Sequence, residues 1–194
     1  MITLKKQFIL MFVAIIFLTA CNEEKIETNM SREMQSFEFT TQDKQFLSLQ
    51  DLEGSWWVAD TIFTNCTTVC PPMTANMASL QEKIKSKNLD VQLVSFSVDP
   101  DNDTPETLKK FGEKFQADFS NWTFLTGYDY ETIKTLSIKS FQSMVKKIPD
   151  SNQVAHGTNF YLINPDAKVV KSYSGMESKE MSKIAEDLEK VLQE

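Results

Sequence analysis

Cys66 and Cys70 stand four apart in TNCTTVCPPM (residues 64–73), with two prolines directly after the second thiol. Two thiols this close have three uses: a structural disulfide, a dithiol that exchanges electrons, or two thiolates for a soft metal. The structural crosslink is the least rewarding, because so short a loop removes little entropy from the unfolded chain. The spacing also departs from disulfide oxidoreductases, which typically place two residues between the cysteines and often Trp before the first. Here three intervene, and Asn65 precedes Cys66. His156, the only histidine in 194 residues, lies in AHGTNFYLI just before a strand-like run. Two thiolates and an imidazole form a soft three-coordinate set that suits copper as Cu(I) or Cu(II), with zinc as competitor. Structural zinc ordinarily takes a fourth Cys or His, so here water or Asp would have to complete it.

These residues need elements to bring them together. WWVADTIF (residues 56–63) is aromatic and β-branched, a buried strand that runs straight into the cysteine loop. After Pro71 and Pro72, Met73, Met77, Leu80 and Ile84 recur at helical spacing, and this Met stripe reads as core rather than as copper ligands. Cys66 and Cys70 are then expected on one face of the first helical turn, whose free N–H groups would lower both thiol pKa values. VQLVSFSV (residues 91–98) is a second strand, continuous in apolar character as parallel strands are. DTPETLKKFGEKF begins a helix with an Asp or Thr cap and Pro105 in the first turn. WTFLTG is a third strand, DYETIKTLSIKSF a helix, NFYLINPDAKVVKSYSG a hairpin, and SKEMSKIAEDLEKVLQE an amphipathic terminal helix. Earlier, SFEF and FLSL pair as an N-terminal hairpin. This order predicts a single α/β domain in the thioredoxin-like layout, with an added N-terminal β-hairpin. In that layout the loop before the NFYLI strand faces the cysteine loop. Oxidoreductases usually carry a cis-proline there, whereas this chain has Gly157, Thr158 and Asn159.

One acidic segment adjoins the site. Asp99 ends the second strand, at the edge bordering the cysteine loop, and is placed either to hydrogen-bond the centre or to stay solvated. Asp99, Asp101 and Asp103 imitate the opening of a calcium loop, but Thr104 stands where Gly is needed and Lys110 where Glu is needed.

Composition bounds the remainder. Hydrophobic residues at 41% and charged residues at 24% describe an ordinary globular chain, and a formal charge of −7 argues against nucleic-acid binding. Lys5 and Lys6 precede an apolar run over residues 8–20, short for a bilayer span but right for a secretory signal. The run ends in LTAC, which looks like the lipobox of bacterial lipoproteins and makes Cys21 the expected lipidation site. Residues 1–20 are thus expected to be a signal peptide, 21–35 a lipidated cysteine and flexible tether, and 36–194 the folded domain. The domain would sit outside the cytoplasm, lipid-anchored at the cell membrane. With Cys21 so engaged, Cys66 and Cys70 have only each other.

Taken together, TNCTTVCPPM, SFSVDPDNDTPETLKKF and AHGTNFYLINPD closely resemble the Sco/SenC family, the Bacillus-type lipoprotein members above all. The resemblance implies a thioredoxin-like fold with an extra N-terminal hairpin, copper binding, and assembly of the dinuclear copper A centre in subunit II of cytochrome c oxidase. It implies Cys66, Cys70 and His156 as the metal ligands and Asp99 as an acidic residue near them. A copper chaperone is therefore the expected function. The alternative is a thiol–disulfide reductase that keeps the acceptor cysteines reduced, with Cys66 and Cys70 as its redox pair.

Overall fold

A computed structural model describes residues 26–66 and 68–193. The expected signal peptide and Cys21 lie outside the described residues.

Among the described residues, one eight-stranded sheet carries the fold. Its strands are β1 (Arg32–Glu33), β2 (Glu38–Thr41), β3 (Phe46–Ser48), β4 (Trp57–Ile62), β5 (Gln92–Ser97), β6 (Trp122–Thr126), β9 (Asn159–Ile163) and β10 (Lys168–Ser174), in the spatial order β1-β10-β9-β4-β5-β6-β2-β3. A separate ribbon pairs β7 (Lys146–Lys147) with β8 (Val154–Ala155). The helices are α1 (Cys70–Ser86), α2 (Pro105–Lys114), α3 (Tyr130–Phe141) and α4 (Glu180–Leu192). Strands β4, β5 and β6 run parallel, and β9 returns antiparallel beside β4. This is the thioredoxin-like arrangement, with β2 and β3 as the added hairpin at one edge.

The sheet separates two cores because successive strand side chains point to opposite faces. Val58 and Ile62 of β4 join Met73, Met77, Leu80 and Ile84 of α1, Leu108 and Phe111 of α2, and Met181, Ile184 and Leu188 of α4. Trp57, Ala59 and Phe63 look the other way, toward Ile133, Leu136 and Phe141 of α3 and toward the cysteines. The Met stripe of α1 is core, as expected: Met73, Met77 and Leu80 are fully buried, each worth about 1.5–3 kcal/mol.

Three features refine the sequence reading. Thr104, rather than Asp103, caps α2, accepting the Thr107 N–H at 3.2 Å. The ribbon β7–β8 was not anticipated, since two-residue strands leave no periodicity to detect. The tether expected over residues 21–35 is a correction from residue 26 onward. Ile26 and Met34 are buried, β1 pairs with β10, and the Met34 N–H donates to the Ala167 carbonyl at 2.9 Å. The segment lacks periodicity because its backbone, rather than an apolar face, makes most of the attachment.

Candidate metal centre

Cys70 is the first residue of α1, while Cys66 lies in the loop that leads from β4 into it. The two therefore do not share a helical face. The loop turns back, so that the Cys70 N–H donates to Cys66 Sγ at 3.3 Å. Pro71 and Pro72 follow, and neither has an N–H to offer. His156 arrives from the far side, just after β8, with Nε2 3.3 Å from Cys70 Sγ. The donor atoms of Cys66, Cys70 and His156 all lie within 4.8 Å of one another. Both cysteines are free thiols and both are buried.

The two thiols are unequal, which corrects the expectation that both pKa values fall. At Cys66 burial opposes ionisation, but the imidazole, the Cys70 thiol and N–H, and the Thr68 backbone together bring the pKa down to about 6. At Cys70 the pKa is pushed far up, first by burial, then by the neighbouring Cys66 sulfur and the Asp60 carboxylate. Near neutral pH the pair is one thiolate and one thiol. His156 Nδ1 lies 2.8 Å from the Gly157 carbonyl, which can only accept, so Nδ1 carries a proton. Nε2 faces the Cys70 sulfur.

Asp99 is buried, but its carboxylate is taken by the Asn102 amide at 2.9 and 3.0 Å and makes no hydrogen bond to Cys66, Cys70 or His156. The aspartate that does hold the cysteine loop is Asp103, placed by the turn that Asp99 begins. Its carboxylate accepts from the Thr64 N–H at 3.2 Å, the Thr64 hydroxyl at 2.6 Å and the Ser97 hydroxyl at 2.6 Å. Spacing toward α2 made Asp103 look like a helix cap, and only the fold turns it inward.

Asp60, in the middle of β4, is fully buried, and neither carboxylate oxygen has a hydrogen-bond partner. Burial raises its pKa to about 7; the Ser95 hydroxyl, short of a well-formed bond, and then His156 pull the other way. The sequence signal was available: a carboxylate inside an otherwise apolar strand is unfavourable unless it is protonated or paired.

A thioredoxin-like domain that aims two reduced thiols and one imidazole at a common point defines a class of dithiol–histidine proteins. The SCO1/SenC family model matches residues 25–193, and this chain belongs to that family. The SCO1 protein homolog of Bacillus subtilis is 47% identical over 89% of this chain and 90% of its own length. A SCO1/SenC family lipoprotein from Bacillus anthracis has a solved structure with 50% identity and a TM-score of 0.82, covering 86% of this chain and all of that one. BsSco, described as a member of the Sco family of cytochrome c oxidase assembly proteins with a disulfide switch, matches at 46% identity and a TM-score of 0.79, over 87% of this chain and 99% of that one. Copper-bound ScoI of Arabidopsis thaliana is 25% identical with a TM-score of 0.69, over 80% of this chain and 98% of that one.

Proposed function

We propose that the protein is a copper chaperone, in which Cys66, Cys70 and His156 hold one copper ion as cargo for the copper A centre of cytochrome c oxidase subunit II. The observation that carries this reading is the convergence of two sulfurs and one imidazole nitrogen within 4.8 Å. The donor chemistry fits: thiolate and imidazole are soft enough for either oxidation state of copper. The Cys66 thiol pKa is brought down to about 6, and the protons still held between Cys70 and Nε2 leave as those donors become available. Copper in ScoI and the oxidase-assembly role attached to BsSco support cargo and client. Release then proceeds by ligand exchange, acceptor donors replacing these one at a time.

The same reading places residues 1–20 as a signal peptide and Cys21 as the lipid carrier on the outer face of the cell membrane, supported by the LTAC motif and by the lipoprotein of Bacillus anthracis. Among the described residues no helix is long and apolar enough to cross a membrane.

The inequality of the thiols favours a second reading, thiol–disulfide reduction. The Cys66 thiolate attacks an acceptor disulfide and expels one acceptor thiolate. Cys70, once deprotonated, then attacks Cys66 in the mixed disulfide, leaving a Cys66–Cys70 disulfide and a fully reduced acceptor. Copper titration separates the two. The reduced domain lacking residues 1–21, titrated anaerobically with Cu(I) and Cu(II), is expected to bind one ion with thiolate-to-copper absorption. His156→Ala and Cys66→Ser/Cys70→Ser are expected to lose that binding. If His156→Ala keeps wild-type affinity, the ligand assignment is wrong and the reductase reading takes its place.

A further inference from the structure

The hydrogen bond from His156 Nδ1 to the Gly157 carbonyl joins two adjacent residues. It turns with them, so by itself it cannot fix Nε2 relative to the thiols. Something on the rigid frame has to do that, and β4 supplies it. Thr61 Oγ1 lies 3.1 Å from His156 Nδ1 and 3.4 Å from the Gly157 carbonyl oxygen. Since the carbonyl only accepts, the Thr61 hydroxyl donates to it and accepts a share of the Nδ1 proton, closing a small ring of three groups.

We propose that Thr61 is the positioning residue of the centre: its hydroxyl ties the His156–Gly157 unit to β4 and thereby holds Nε2 toward Cys70. The inference rests on the reading of Cys66, Cys70 and His156 as metal ligands. Thr61 is suited to the task. It sits in the central parallel part of the sheet, opposite Phe96 of β5, and is 1% exposed. Its β-branched side chain has few rotamers open to it. Among the described residues no other side chain hydrogen-bonds Nδ1. Two further neighbours contribute shape. The Phe63 ring meets the imidazole edge-on at 5.6 Å, and the Ser143 side chain lies against Gly157 with its hydroxyl unpaired. A group that orients a ligand through its second nitrogen typically controls metal affinity by 10–100-fold.

Thr61→Val keeps the shape and removes the hydroxyl, while Thr61→Ser keeps the hydroxyl and removes the methyl. Copper affinity and the thiolate-to-copper absorption are measured on the reduced proteins, and the His156 tautomer is read by 15N NMR on the metal-free proteins. Thr61→Val is expected to bind copper on the order of 10-fold more weakly or worse, with a shifted absorption and an imidazole averaged between tautomers. Thr61→Ser is expected to restore affinity, absorption and the single Nδ1–H tautomer. A Val variant indistinguishable from wild type in all three readouts overturns the proposal, as does equal loss in Val and Ser, which would assign the effect to methyl packing. If wild type itself binds no copper, the ligand reading fails, and the metal-free tautomer comparison still decides whether Thr61 orients the ring.

Discussion

Cys70 and His156 meet at 3.3 Å but are held there by different kinds of structure. Cys70 stands at the head of α1, whose Met73, Met77, Leu80 and Ile84 are sunk into the sheet and against α4. His156 follows a segment, residues 142–155, that buries only Ser143, Val145 and Val154 and leaves Met144 and Ile148 exposed. That segment is held by hydrogen bonds: the Tyr130 hydroxyl donates to the Val145 carbonyl and accepts the Lys147 N–H, and the Gln153 amide reaches the Asn65 carbonyl. The contrast teaches where the site is stiff and where it yields. Local opening follows the regions with little apolar burial and many exposed hydrogen bonds, so the imidazole side opens more readily than the thiol side. Under the chaperone proposal, exchange of ligands would begin at the imidazole without disturbing the thiols.

The largest effect should come from attacking the stiff side. Met77→Ala leaves a cavity under α1, with an expected stability loss of about 2–5 kcal/mol in urea unfolding. A loss under 1 kcal/mol would mean that α1 is not held by its apolar stripe, and the comparison would fail.

Next is Asp60, on the strand that supports both sides. Its folded pKa of about 7 stands above the ordinary 3.8, so the fold keeps a proton that the unfolded chain releases. Its contribution is fully present below about pH 4, is lost as pH rises toward 7, and is level above that. Wild type should therefore lose up to about 4 kcal/mol across that window relative to Asp60→Asn, whose stability difference should stay flat. Parallel pH profiles for the two proteins would show that Asp60 is ionised in the fold throughout.

The smallest stability effect, and the sharpest for the site, belongs to Gly157→Ala. A Cβ there would fall 2.2 Å from Ser143 Oγ and 3.3 Å from Ser143 Cβ. The yielding segment should shift rather than unfold, with stability down by about 1 kcal/mol and copper affinity down on the order of 10-fold. Ser143→Ala in the same chain should recover most of that affinity. Unfolding of Gly157→Ala by several kcal/mol, with no separate effect on copper, would erase the distinction between the two sides.

Much of this was legible along the chain. The alternation of strands and amphipathic helices gave the layered α/β fold, because one-sided burial imposes periods of 2 and 3.6 on any sequence that achieves it. Cys66, Cys70 and His156 stood out by residue type and scarcity, and the structure brings them together. What could not be read were features without a period: the attachment of residues 26–35, the β7–β8 ribbon, and the inward turn of Asp103. The inequality of Cys66 and Cys70 was equally hidden, since two identical residues four apart differ only in what surrounds them.

The sequence by itself determined which chemistry is possible here, because donor atoms belong to residue types: two thiols and one imidazole admit soft-metal binding or dithiol exchange. Tertiary structure decided the rest. It chose which thiol ionises more readily, which imidazole nitrogen faces the thiols, and which aspartate steadies the loop. Each of these depends on desolvation, and on hydrogen bonds between residues as far apart as Thr61 and His156. Such energies vary steeply with distance and burial, and neither exists until the chain has folded.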